Sequence, residues 1–242
     1  MAGGKGTRLL ELTKDEIPKP MTPVCGKPIL QWQVEQLQRN GFTDIIMIIG
    51  HLGHKIQEFF GDGTKFGLQI RYIEEKVPLG TAGAFYYLRP LLTEEAFLLV
   101  FGDVLFDIDL PRMVRFHEQK KAEASLFVHP NTHPFDSDLV VTDEADRILR
   151  FDSKNNVRNY WYDNCVNAGL YLFNASVCDR VTEPIKTDLE KHLLTGMIQA
   201  GEAVYAYRSP EYIKDVGTVE RIRAAEKELE SGYIAARNLQ HV

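Results

Sequence analysis

Apolar and polar positions along this chain fall into alternating blocks of two kinds. Helical blocks lie at 28–39, 53–60, 81–92, 110–120, 188–200 and 219–230. Short runs of strand length lie at 44–49, 68–74, 96–101, 124–129, 138–142, 147–151, 166–173 and 204–207. The first helix opens at Pro28 and stops at Asn40-Gly41, the expected start and stop signals. The helix at 53–60 is stopped by Gly61-Asp62-Gly63. The run AFLLVF at 96–101 is apolar throughout, as a strand buried on both faces requires. The run at 68–74 alternates instead. Strands alternating with helices predict an α/β protein with a parallel or mixed sheet flanked by helices. No repeat or low-complexity linker interrupts the pattern, although its texture changes after Pro130.

Composition narrows the possibilities. With 44% hydrophobic and 26% charged residues, the 242-residue chain is neither disordered nor collagen-like. It is long enough to bury a core without disulfides or metal. The formal net charge of -6 argues against a nucleic-acid partner, which wants a basic footprint. Phosphate ligands stay possible, because a few cations in one cleft suffice. Cys25, Cys165 and Cys178 form no CxxC pair and indicate neither a disulfide framework nor a zinc site. A reducing, cytoplasmic setting is therefore expected. No apolar run approaches the roughly 18 residues of a membrane span, and no signal peptide is read at the start. No membrane partner is expected, and a homo-oligomer stays open.

Candidate chemistry concentrates in a few segments. Gly3-Gly4-Lys5-Gly6-Thr7-Arg8 places backbone N–H groups and two cations where an anion can approach closely. The Arg8 fork suits paired phosphate oxygens. The spacing fits neither the Walker P-loop nor the dinucleotide fingerprint. Lys19 stands between Pro18 and Pro20, which fix the local backbone and present a held ammonium. Asp103 follows the apolar run at 96–101, where open α/β sheets place their ligands. Asp215 precedes a glycine turn and a helix that Thr218 is equally able to cap. A few carboxylate oxygens suit Mg²⁺, which keeps waters and substrate phosphates as its other ligands.

The segments A-G-G-x-G-T-R-L at 2–9 and P-K-P-M-x-P-V-x-G-K-P-I-L at 18–30 resemble the signature of sugar-1-phosphate nucleotidylyltransferases. The resemblance continues through Glu75, Leu79-Gly80-Thr81-Ala82-Gly83, Gly102-Asp103, Asn167-Ala168-Gly169 and Asp215-Val216-Gly217-Thr218. It implies a Rossmann-like α/β fold of the nucleotide-diphospho-sugar transferase type. That fold has a mixed, mostly parallel sheet flanked by helices in a single domain. Residues 1–130 would be its nucleotide-binding half and 131–242 its sugar-binding half. One departure is visible. Members of this family begin with an apolar strand that aims the glycine loop, and here no such strand precedes Ala2. The resemblance therefore leads to the expectation of a late start or a truncation.

The resemblance also implies roles. Ala2, Gly3, Gly4, Gly6, Thr7, Glu75, Gly80, Thr81 and Gly102 would bind the nucleotide. Arg8 and Lys19 would offset phosphate charge, and Asp103 with Asp215 would hold the catalytic Mg²⁺. Asn167, Gly169, Glu190, Lys191 and Lys154 would bind the sugar phosphate. His192 and Ser153 stand where the family has an Asp and a Glu, so the sugar contacts there must differ. The form E-x-x-P-L-G-T-A-G resembles the guanylyltransferase branch, which favours GTP. The stretch 129–138 looks like the heptose-1-phosphate group within it. The reaction implied is attack of a sugar 1-phosphate on the α-phosphorus of a nucleoside triphosphate, releasing pyrophosphate. Two rivals differ in class. One is a glycosyltransferase using Asp107 and Asp109 as a D-x-D metal motif. The other is a non-catalytic subunit that senses nucleotide sugars.

Overall fold

The computed structural model describes residues 1–3 and 9–232. Its elements in chain order are α1 (Leu10–Thr13), β1 (Pro23–Val24), β2 (Lys27–Pro28), α2 (Ile29–Arg39), β3 (Asp44–Ile49), α3 (Gly53–Phe60), β4 (Gln69–Glu74), α4 (Phe85–Leu88), β5 (Ala96–Val100), β6 (Val104–Asp107), α5 (Leu110–Lys120), β7 (Ala124–His129), β8 (Leu139–Thr142), β9 (Ile148–Asp152), β10 (Val166–Asn174), α6 (Thr195–Gln199), β11 (Val204–Arg208), β12 (Tyr212–Asp215) and α7 (Val219–Glu230). They form two compact units. Among the described residues, one comprises 1–3, 9–78, 101–108 and 211–232, the other 79–100 and 109–210.

In the first unit β3 and β4 pair in parallel, with Ile45 opposite Ile70 and Ile48 opposite Ile73. Helix α3 connects them, as a parallel pair requires. Strand β6 pairs antiparallel with β12, and Asp215 stands opposite Val104. Two apolar clusters fill this unit. Val34, Met47, Ile49, Ile56 and Phe60 make one, and Leu9, Ile29, Leu105, Val216 and Ile222 make the other. Gln33 of α2 is buried, and its Nε2 donates to the carbonyls of Phe101 and Val104, each at 2.7 Å. Those bonds fix both sides of the turn that carries Asp103.

In the second unit four strands run in the order β11-β7-β10-β5. The β11–β7 pair is parallel, and β10 lies antiparallel to both β7 and β5. This sheet is thus mixed, its antiparallel pairs coming from β10 running against its neighbours, and β8 and β9 form a separate antiparallel pair. Strand β5 is only half-buried over most of its length, because it closes one end of this sheet. The buried His117 of α5 bonds Ser125 of β7 at 2.9 Å and Asn174 of β10 at 3.1 Å.

Several elements differ from the sequence pattern. The helix expected over 81–92 is a turn followed by the short α4 and a 3-10 turn at Arg89–Leu91. Gly80 at φ +78° and Pro90 interrupt it at either end. The helix expected over 188–200 begins as a π-helix at Leu189–Leu194 before becoming α6. Strands β6 and β12 are not announced by the pattern, since each is only four residues long.

Candidate active site

In the first unit the sequence Pro18-Lys19-Pro20 builds a rigid pedestal. Pro18 is extended at φ -67° and ψ 145°, and Lys19–Met21 form one 3-10 turn with Pro20 buried. The Lys19 side chain is 12% exposed and ion-paired with Asp103. Pairing β6 with β12 brings in the second carboxylate, and Val216 N–H donates to Asp103 O at 2.8 Å. Gly217 then leaves a space that all three groups border. A Cβ there would lie 2.7 Å from Asp215 Oδ1, 3.1 Å from Lys19 Nζ and 3.4 Å from Asp103 Oδ2. Thr218, not Asp215, caps α7 by accepting from Arg221 N–H at 3.3 Å. Asp215 instead accepts from Gly217 N–H at 2.6 Å and pairs with the Arg221 guanidinium. Arg221 is a member of this cluster that sequence spacing does not reveal, because it acts from the first turn of a separate helix.

The donor chemistry suits Mg²⁺. Two carboxylates beside a bare glycine leave room for the waters and phosphate oxygens that this ion retains. Among the described residues no group of three or more His, Cys, Asp or Glu side chains is gathered for a metal.

The start of the glycine loop abuts the same turn. Ala2 is buried and its N–H donates to Ile48 O at 2.8 Å, while Gly102 N–H donates to Met1 O at 2.8 Å. A Cβ on Gly102 would come within 2.9 Å of both Met1 O and Pro20 Cγ. A Cβ on Gly3 would come 2.9 Å from Glu75 Oε2, so Glu75 lies directly beside the loop. Gly4, Lys5, Gly6, Thr7 and Arg8 lie outside the described residues.

The second unit gathers a different set. Asn167 Nδ2 donates to Glu190 Oε1 at 2.7 Å and to Tyr171 Oη at 2.6 Å. Gly169, at φ +75°, sits where β10 shifts register against β7, and its N–H donates to Asn167 Oδ1 at 3.3 Å. Asp188 Oδ1 caps the helix by accepting from the N–H groups of Glu190 and Lys191. Burial pushes the Glu190 carboxyl above its ordinary range; Asp188 adds to the shift, and Asn167 and Tyr171 oppose it through hydrogen bonds. Burial likewise holds the Tyr171 phenol well above 10. Lys191 is exposed one residue further on. Lys154 is exposed after β9, its N–H donating to Asp138 Oδ1 at 2.8 Å. Gly80 and Thr81 bond the segment 185–189.

Arg158 is a structural anchor of this unit that the sequence does not single out. Its guanidinium pairs with the buried Asp152 at 2.8 Å and donates to Pro134 O and Ser137 O. Of the D-x-D residues, Asp109 caps α5 by accepting from Arg112 N–H at 2.9 Å. Asp107 ends β6 and accepts from Gln36 Nε2 at 3.3 Å.

The chain is similar to known proteins over nearly its whole length. The family model described as Nucleotidyl transferase matches residues 1–232. Mannose-1-phosphate guanyltransferase beta-A of Xenopus laevis is 36% identical over 221 residues, covering 90% of this chain and 60% of its own. The chain thus spans about three fifths of that relative. D-glycero-alpha-D-manno-heptose 1-phosphate guanylyltransferase of Aneurinibacillus thermoaerophilus is 31% identical over 235 residues, covering 95% of this chain and 96% of its own. HddC from Yersinia pseudotuberculosis, solved in complex with GMP-PN, shares the fold with a TM-score of 0.79 at 21% identity, over 94% of this chain and 96% of that one. With nearly its whole length matched and its glycine, lysine and aspartate motifs intact, the chain belongs to the nucleotidyl transferase family.

Proposed function

We propose that this protein transfers a nucleoside monophosphate from a nucleoside triphosphate, GTP by preference, to a manno-configured hexose or heptose 1-phosphate. The products are a nucleotide-diphospho-sugar and pyrophosphate. The observation that carries this reading is the convergence of Lys19, Asp103 and Asp215 on the space beside Gly217. Family membership supports the reaction class, and relatives named for mannose 1-phosphate and manno-heptose 1-phosphate support the sugar configuration and the base.

The chemistry follows from the charges. The attacking oxygen belongs to a phosphate already anionic at neutral pH, so no general base is needed. Catalysis then consists of positioning and charge neutralisation. Asp103 and Asp215 would hold Mg²⁺, whose charge when bound offsets that of the reacting phosphates. Lys19 supplies a fixed ammonium to the phosphates, and Arg8 a second cation. Ala2, Gly3, Gly4, Gly6, Thr7, Glu75, Gly80, Thr81 and Gly102 bind the nucleotide. Asn167 and Glu190 bond sugar hydroxyls, Gly169 leaves the ring room, and Lys154 and Lys191 hold the sugar phosphate. We place these roles in one nucleotidyltransferase domain of the cytoplasm. In support, all three cysteines are free and no helix among the described residues is long and apolar enough to cross a membrane.

The test is pyrophosphate release with Mg²⁺ across four nucleoside triphosphates and a panel of sugar 1-phosphates including mannose, glucose and D-glycero-D-manno-heptose. Release with GTP and one manno-configured sugar is expected. Glycosyl transfer from a nucleotide sugar, without pyrophosphate, would replace this reading with the glycosyltransferase one.

A further inference from the structure

Thr81 belongs to the turn assigned above to the nucleotide, yet its hydroxyl is committed elsewhere. Its Oγ1 accepts the N–H of Leu189 at 2.7 Å. Leu189 is fully buried, so that amide has no water to bond instead. The rest of the turn is zipped to the same segment. Thr187 N–H donates to Leu79 O at 2.9 Å, and Ala82 N–H donates to Thr187 O at 3.0 Å. Gly80 forms a parallel bridge with Thr187. A Cβ on Gly80 would lie 2.5 Å from Thr187 O, and one on Gly83 would lie 2.3 Å from Ile185 O. Nothing larger than a glycine fits between the two segments at these points.

The segment so held leads straight into the sugar-binding helix. Asp188 caps Glu190 and Lys191, and the Glu190 carboxylate bonds Asn167. A shift of the 79–83 turn would carry residues 187–189 with it and alter how Glu190 meets Asn167. We infer that Thr81 is a positioning residue that couples nucleotide binding at the 79–83 turn to the sugar-phosphate subsite at Asn167 and Glu190. The inference rests on the function proposed above and adds a regulation of its two subsites. Coupling of this kind is reciprocal, and its usual size is roughly 5–150-fold in affinity.

The test uses whichever of mannose or manno-heptose 1-phosphate supports turnover. Its affinity is measured by calorimetry with and without a non-hydrolysable GTP analogue, for the wild type, Thr81→Val and Thr81→Ser, alongside steady-state kinetics and thermal melting. Valine keeps the shape and removes the acceptor; serine keeps the acceptor. The wild type and T81S are expected to bind the sugar phosphate at least about fivefold more tightly with the analogue present. T81V is expected to lose that difference and, by the same factor, the tightening of the analogue by the sugar phosphate. No coupling in an active wild type overturns the inference alone. So does T81V keeping the full difference, or T81S failing to rescue. A wild type that neither binds the analogue nor releases pyrophosphate instead overturns the function on which it rests.

Discussion

Lys19 is ion-paired with Asp103, and both border the bare α-carbon of Gly217. A cation and a proposed metal ligand are thus paired directly. Lys19 pairs with Asp103 and would meet phosphate oxygens in the proposed reaction. Asp103→Asn keeps the shape of the turn and removes the charge. It is expected to cut turnover by about 10²–10³-fold, the loss typical of a single charge-stabilising group. Retention of more than a tenth of the wild-type rate, with an unchanged circular dichroism spectrum, would remove Asp103 from the metal role.

Gly217 owes its identity to the same cluster. An added Cβ would sit 2.7 Å from Asp215 Oδ1 and 3.1 Å from Lys19 Nζ. Gly217→Ala is therefore expected to weaken Mn²⁺ binding and lower kcat while the thermal midpoint moves little. Titration of bound Mn²⁺ by electron paramagnetic resonance checks this directly. Unaltered Mn²⁺ affinity would show that the space is not used by the ion.

Arg221 pairs with Asp215, the second proposed metal ligand, and would compete with the ion for it. Exposed ion pairs of this kind are worth about 0.2–1 kcal/mol, so Arg221→Met should tighten Mn²⁺ binding by no more than roughly fivefold. Weaker binding in the variant would mean that Arg221 orients the carboxylate rather than occupying it.

Glu190 carries a cost at neutral pH. Its folded carboxyl titrates above the ordinary 4.5, chiefly because of burial and then because of Asp188. A raised carboxyl contributes stability below its unfolded value and loses that contribution as pH rises through the folded value. Glu190→Gln removes this penalty while keeping an acceptor for Asn167. It should raise the thermal midpoint at pH 7.5 and leave it nearly unchanged at pH 4, while raising KM for the sugar phosphate. A lower midpoint at pH 7.5 would contradict the burial argument.

His117 predicts acid sensitivity. Burial holds its imidazole below the ordinary 6.5, against the opposing effects of Asn174 and Glu123. The neutral form is the folded one, so stability is full above about 6.5 and falls as pH drops from there through the folded value. Urea midpoints measured at pH 7.5 and pH 5.5 should differ more for the wild type than for His117→Gln. His129, also held low by burial, keeps a share of the dependence in the variant. Equal slopes would exclude His117 as a source.

The sequence by itself determined which residues are candidates for the chemistry. The prolines around Lys19 announce a fixed cation, and the apolar run before Asp103 announces a carboxylate at a strand end. The order of the glycine, lysine and aspartate motifs was enough to identify the family, because motif spacing is local information. Helices α2, α3, α5 and α7 were legible for the same reason, since periodicity and caps lie within a few turns of chain. Only the tertiary structure decided the rest. Strands β6 and β12 are too short to announce themselves, and it is their pairing that carries Asp215 to Asp103. The helix expected over 81–92 dissolves into a turn because Gly80 and Thr81 bond residues 187–189, a partner no local window contains. Gln33, Arg158 and Arg221 take their roles from groups far away in the sequence or on another element. Such roles depend on which polar groups the folded chain brings within hydrogen-bonding reach, and no local window of sequence contains that.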